Sequence, residues 1–145
     1  MELTNKSEYA LLSLLALAKS YSSGESLQIR EIAAQQNIPN RYLEELLATL
    51  RRGGLIKSIR GVKGGYVLAR EPQKITVLDA LRCIEGLGMS EPTKSSIPKT
   101  VETDVIDEVW EEVCQEAFAV LEKYTLQDLC DRRMTRQQME LMYYI

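Results

Sequence analysis

Histidine is absent from this chain of 145 residues. That removes Ser-His and Cys-His nucleophilic pairs, an imidazole ligand for zinc, and a proton switch near neutral pH. Cysteine is sparse. The three thiols, at 83, 114 and 130, form no C-x-x-C and no regular spacing, and an odd number without a secretory signal fits reduced thiols in a reducing compartment. Long apolar runs are missing too: the patch Ala10 to Ala18 is too short to span a bilayer and lacks a signal peptide's basic flank and cleavage site. These absences predict a cytoplasmic protein. No nucleophile, base and orienting group come together in the sequence, so an enzyme is not expected.

What is present supports a folded chain, with 45% apolar residues. The net charge of −3 is unevenly spread. Residues 1–70 hold 10 Lys+Arg against 6 Asp+Glu, a balance of +4, and residues 71–145 hold 8 against 15, a balance of −7. From Asn40 to Arg70 there are 7 basic residues (Arg41, Arg51, Arg52, Lys57, Arg60, Lys63, Arg70) and 2 acidic ones (Glu44, Glu45). Attraction to phosphate depends on such a local patch rather than on the total.

The patch coincides with an ordered series of local signals in Ser26 to Arg70. Ile29, Ile32 and Ala33 fall at helical spacing in a first short helix, Ile29 to Gln36. Asn37, Ile38 and Pro39 stop it, because proline has no N–H and pushes the preceding residue out of the α region. Pro39 then opens a second helix, Asn40 to Arg52, with Leu43, Leu46, Leu47 and Leu50 inward and Gly53-Gly54 at its end. Leu55 to Arg60 and Tyr66 to Ala69 read as two strands about the turn Gly61 to Gly65, and Ser26-Leu27 is placed to add a short third strand. Helix, break, helix and two-stranded wing is the order of a winged helix-turn-helix, which puts its second helix in the DNA major groove.

Within that arrangement Asn40, Arg41, Tyr42 and Glu44 occupy the first turns of the recognition helix. Arginine suits guanine O6/N7, a glutamate accepts from cytosine N4, and tyrosine bonds phosphate or packs on a sugar or base edge. Glu44 has an alternative as a helical partner for Lys or Arg. Arg51 adds charge at the far end of the helix, and Arg60 and Lys63 sit in the glycine-rich wing, where an arginine suits a narrow minor groove. Lys6, one turn into an opening helix capped by Thr4, is placed either to meet a phosphate or simply to be solvated.

The rest divides into residues 1–85 as the DNA-binding domain, 86–103 as a variable loop, and 104–145 as a dimerisation helix with a tail. Thr76 and Asp79 form a capping-box-like start for a helix through Glu85, ended by Gly86. A helix from Asp104 to Tyr124 carries a continuous apolar stripe that includes Ile106, Val109, Trp110, Val113, Ala117, Val120 and Leu121, with an acidic opposite face. A helix of that length exceeds what so small a domain covers, so the stripe predicts pairing with a second copy and a palindromic operator. Thr125 and Asp128 open a short helix to about Asp131, and the apolar tail Thr135 to Ile145 is expected to dock on the body or the partner. Cys130, beside Arg132 and Arg133, is the first of the three to consider for redox chemistry because nearby cations lower a thiol pKa, although a structural role is favoured for it too; Cys83 and Cys114 read as packed residues. The fold class is therefore mainly α with a small β wing: a winged helix-turn-helix plus a long dimerisation helix.

The segments ELTNKSEYALLSLLALA, IPNRYLEELLATLRRGGLIKSIRGVKGGYVLA, ITVLDALRCIEG, TLQDL and MYYI together resemble the Rrf2 family of winged-helix regulators, which includes the iron–sulfur cluster regulator and the cysteine-metabolism repressor. The resemblance implies a dimeric, sequence-specific transcription regulator, usually a repressor, with Arg41, Tyr42, Glu44 and Arg60 touching DNA. Cluster-binding members group three cysteines in the loop before the dimer helix, aided by a histidine. Here that loop has no cysteine and the chain no histidine, so no cofactor is expected and the cluster-free branch is favoured. An iron–sulfur cluster held by Cys83, Cys114 and Cys130 across a dimer stays open as an alternative, as does a thiol signal, a small-molecule effector, or a partner enzyme of cysteine or iron–sulfur metabolism.

Overall fold

The computed structural model describes residues 2–86 and 97–144. The segment Asn5–Tyr21 (α1) starts at Thr4, whose side chain accepts the Ser7 N–H at 3.1 Å. It buries Ala10, Ser13, Leu14, Ala16 and Leu17, and it meets α2 (Ile29–Gln36), α3 (Asn40–Arg52), the wing, and two later helices. Small residues on several sides let those neighbours approach closely. That makes α1 the axle of the fold.

The break between α2 and α3 follows the expected chemistry. Asn37 takes a left-handed conformation (φ 56°), the short polar side chain making it one of the few residues tolerated there. Ile38 is buried behind it, and its N–H reaches the Ala33 carbonyl at 3.1 Å. Leu43, Leu46, Leu47 and Leu50 form the buried face of α3. Leu55 and Ile56 continue the core into Ile56–Ile59 (β1), which pairs antiparallel with Gly65–Leu68 (β2), Ile56 opposite Leu68 and Ile59 opposite Gly65.

The wing is tied back to the body by one short bridge. Leu27 and Tyr66 exchange backbone hydrogen bonds of 3.0 and 2.7 Å, and the Ser26 hydroxyl donates to the Lys63 carbonyl at 2.6 Å. Gly65 makes this approach possible. Its φ is 157°, and a Cβ there would stand 2.5 Å from the Leu27 carbonyl oxygen and 2.6 Å from the carbonyl carbon.

After a single 3₁₀ turn at Pro72–Lys74, Val77–Glu85 (α4) begins at a reciprocal cap between Thr76 and Asp79, with bonds of 2.9 and 3.0 Å. The last helix, Leu126–Tyr143 (α6), begins the same way at Thr125 and Asp128, at 2.9 and 3.1 Å. The two starts lie side by side. Val77 donates to the Tyr124 carbonyl and Leu126 to the Ile75 carbonyl, each at 2.9 Å. Ile75 and Leu126 are fully buried where the chains cross, which fixes the root of α6 to the body.

Two expectations are corrected and a third is narrowed. The long helix (α5) spans Val101–Lys123 rather than starting at Asp104, because Thr100 and Thr103 cap each other's backbone N–H at 3.2 and 2.7 Å. Helix α6 does not stop near Asp131: nothing from 131 to 135 breaks it, and the Thr135 hydroxyl is satisfied internally by the Asp131 carbonyl at 3.1 Å. The tail does not dock on its own body, since Met139, Leu141, Met142, Tyr143 and Tyr144 are exposed, Tyr144 to 90%. Of the expected loop 86–103, residues 87–96 lie outside the described residues, as does Ile145.

The close approach at Gly65 gives a direct check. Gly65→Ala should lower stability by about 1–3 kcal/mol in denaturant unfolding, the usual range for overpacking against backbone that cannot yield. The Leu27 and Tyr66 amides should lose hydrogen-exchange protection in the same variant.

Candidate nucleic-acid interface

Burial of the leucine face of α3 turns its other side outward. Asn40, Arg41, Tyr42 and Glu44 at the start of the helix, and Arg51 near its end, are all exposed. The Arg41 guanidinium lies over the Tyr42 ring at 4.7 Å and donates from Nη2 to the Tyr42 hydroxyl at 2.9 Å. Tyr42 in turn stacks on Tyr9 of α1, with ring centroids 6.5 Å apart and planes 26° from parallel. Lys6, Tyr9, Tyr42 and Glu45, with Asn5 and Leu46, line a cleft of about 420 Å³ between the start of α1 and α3. The fold thus brings Lys6 to the start of the recognition helix, a neighbourhood its sequence position did not reveal.

Charge on this surface is not cancelled by ion pairs. The pairs among the described residues are Arg70–Asp79 and Lys74–Glu71, each at 4.0 Å. Arg41, Arg51, Lys57, Arg60 and Lys63 enter neither, and neither does Glu44, so its alternative as a helical ion-pair partner finds no support. Arg60 and Lys63 are exposed at the tip of the wing beside Val62, which is 100% exposed. Val62 was not singled out in the sequence, and neither were the roles of Tyr9 and Glu85. In the sequence Tyr9 is one apolar residue among leucines; only the fold brings its ring to Tyr42 of α3.

Glu85, the last residue of α4, accepts hydrogen bonds from the hydroxyls of Ser7, at 2.6 Å, and Thr4. These bonds, with a smaller contribution from Lys6, hold its carboxyl below the ordinary carboxylate value. The start of α1 is therefore clasped by the end of α4, one turn before Tyr9.

The predicted pairing residues lie on the outside of the single chain. None of the residues of α5 is buried; Ile106, Val109, Trp110, Val113 and Val120 are exposed, Trp110 to 61%, and Ala117 and Leu121 are half-buried. At 1.5 Å per residue this helix is about 34 Å long.

Cys130 sits in a setting that favours the structural role. Burial against the core raises its thiol pKa, and that outweighs the opposing pull of Arg133 and Lys19, while Asp131 adds to the rise. Arg132 is turned away, its guanidinium 4.7 Å over the Tyr124 ring with Nη2 donating to the Tyr124 hydroxyl at 3.2 Å. Cys83 is also raised by burial, against Arg52; its thiol donates to the Thr49 carbonyl at 3.4 Å and packs where a Cβ on Gly53 would clash. Cys114 is half-buried on α5. Among the described residues no three His, Cys, Asp or Glu side chains gather to hold a metal, and residues 87–96 contain neither cysteine nor histidine. The thiols present do not fit a cluster within one chain.

Residues 3–132 match the family model described as "Rrf2: Iron-dependent Transcriptional regulator". The chain is 34% identical to the HTH-type transcriptional regulator CymR of Bacillus subtilis over 99% of each protein. It is 31% identical to the HTH-type transcriptional regulator IscR of Cereibacter sphaeroides, over 92% of this chain and 90% of that one. Its fold is similar to the solved structure of CymR, the global cysteine regulator of B. subtilis, with a TM-score of 0.75 and 34% identity over 91% of this chain and 98% of that one. It is likewise similar to T. potens IscR, with a TM-score of 0.74 and 32% identity over 92% and 88%. These relatives are regulators rather than enzymes, and no described helix is long and apolar enough to cross a membrane. The winged helix, the unpaired basic surface and the family match agree: this chain belongs to the Rrf2 family of DNA-binding transcriptional regulators.

Proposed function

We propose that the chain is a homodimeric repressor that binds a palindromic operator, with residues 1–85 reading DNA and the helices after the variable loop joining the two copies. The observation that carries this is the contrast between α3 and α5. One presents uncancelled polar and basic groups, and the other an apolar stripe with no buried residue along 23 positions. An exposed tryptophan flanked by valines on a helix of that length needs a cover, and closed two-fold pairing supplies one without a second gene product. Pairing also sets two recognition helices at a fixed separation, as half-sites one helical turn apart require.

In this reading Arg41, Glu44 and Arg60 read bases. Asn40, Tyr42, Lys6, Arg51 and Lys63 hold the sugar–phosphate backbone. Occupancy of the operator by such a clamp blocks other proteins without further chemistry, which makes repression the simplest output. The switch operates without a cluster of the family's loop type, because the ligands for one are missing from the loop. A second reading, recruitment of a metabolic enzyme, draws on the exposed end of α6, where Met139, Leu141, Met142, Tyr143 and Tyr144 face solvent. Gel filtration with a candidate enzyme, set against a mobility-shift assay without it, separates the two.

For DNA, fluorescence anisotropy on a duplex selected by the wild-type chain from a random library should show log K falling with log salt by about 0.9 per phosphate neutralised. Arg60→Ala or Glu44→Ala should remove about 1–3 kcal/mol of base discrimination. Lys6→Ala should weaken all sequences alike and reduce the salt slope by about one. Equal wild-type affinity for selected and scrambled duplexes would refute the reading. For the thiols, Cys83 and Cys130 should alkylate more slowly than free cysteine at neutral pH, and their rates should go on rising with pH beyond the ordinary thiol range, where that of free cysteine levels off. Rapid labelling of Cys130 at pH 7 would instead restore it as a redox sensor.

A further inference from the structure

We infer that Tyr9, which lies outside the helix-turn-helix, is a positioning residue for base recognition: it sets the Tyr42 ring and, through it, the Arg41 guanidinium. The inference rests on the reading of α3 as the base-reading helix and adds a residue from a different element to that site.

Arg41 is an exposed, rotamer-rich side chain in the first turn of α3, and its hold within that helix comes from the next residue. It is ordered by Tyr42, which takes its guanidinium both over the ring at 4.7 Å and at the hydroxyl at 2.9 Å. Tyr42 is itself 48% exposed and borders the cleft beside α1, so its ring lacks a packed wall on that side. The aromatic neighbour recorded for it is Tyr9, at a separation and tilt within the range of favourable offset stacking.

Tyr9, by contrast, is anchored. It packs against the core, its carbonyl accepts the Ser13 hydroxyl at 2.8 Å, and the turn before it is clasped by Glu85 through Thr4 and Ser7. Order therefore runs outward from a fixed tyrosine to a half-exposed one to a guanidinium. One Arg41 N–H is spent on the Tyr42 hydroxyl, and the remaining donors stay available for a guanine edge. Presenting that fork already oriented reduces the ordering that DNA binding must impose.

The test compares wild type, Tyr9→Phe, Tyr9→Met, Arg41→Ala and the Tyr9→Met/Arg41→Ala double variant on the wild-type-selected duplex, a scrambled duplex, and single-base-pair replacements of the selected one. Tyr9→Met keeps apolar volume without a ring, and circular dichroism melting verifies that each variant is folded. Tyr9→Met should cut the preference for selected over scrambled DNA roughly tenfold, the scale of one bidentate base contact. The loss should fall at the same base pairs as for Arg41→Ala, the double variant should be no worse than Arg41→Ala alone, and Tyr9→Phe should stay within about twofold of wild type. A folded Tyr9→Met chain that keeps the wild-type profile, or that loses affinity equally at every base pair, overturns the positioning role alone. A Tyr9→Met chain that does not melt cooperatively overturns it too, by making Tyr9 a core residue first. Wild type without sequence preference overturns the DNA-reading assignment and this inference together.

Discussion

The exposed basic side of the molecule depends on the leucine face of α3 being buried in the core it shares with α1, α2, α4 and β1. Each of Leu43, Leu46, Leu47 and Leu50 gains about 1.5–3 kcal/mol by leaving water. Because a helix advances 100° per residue, burying those four decides where the rest go. Asn40, Arg41, Glu44 and Arg51 have no other place than solvent. The reader is thus the back of a hydrophobic contact, and its orientation is as firm as that contact. The wing follows from the same packing, since Leu55 and Ile56 continue the core directly out of α3 and the Leu27–Tyr66 bridge returns the hairpin to the body.

Much of this was legible in the sequence because it is encoded locally. The Asn37-Ile38-Pro39 break and the Gly53-Gly54 stop are short-range chemistry, and helices α2 and α3 have the expected ends. The threonine–aspartate boxes at 76–79 and 125–128 were recognisable for the same reason. Thr100 and Thr103 were not, since the second threonine stands where an acidic or amide side chain ordinarily signals the box. Continuity of α6 was missed because its apolar residues follow no single stripe once Leu126 and Leu129 have met the core.

The candidate site shows a different limit. Sequence put Arg41, Tyr42 and Glu44 on a helix and Arg60 in the hairpin, where they lie, because such placement follows from local pattern. It could not join Tyr9 to Tyr42, since that contact spans two helices and depends on how α1 crosses α3. It left Cys130 between two roles. Adjacent arginines suggested an activated thiolate, but a thiol's pKa is set by burial as much as by neighbouring charge, and burial is a tertiary property. One of those arginines is occupied with the Tyr124 ring.

Whether two copies make one reader turns on helix α5. An apolar stripe containing Trp110 and left open along the helix is a standing cost in water, which a second copy would remove while fixing the spacing of the DNA-binding halves. The most direct test is the mass of the protein, free and bound to its selected duplex, by sedimentation equilibrium. Two chains in the free particle and two chains per duplex are predicted. A monomer that saturates the duplex as a single chain would contradict the account.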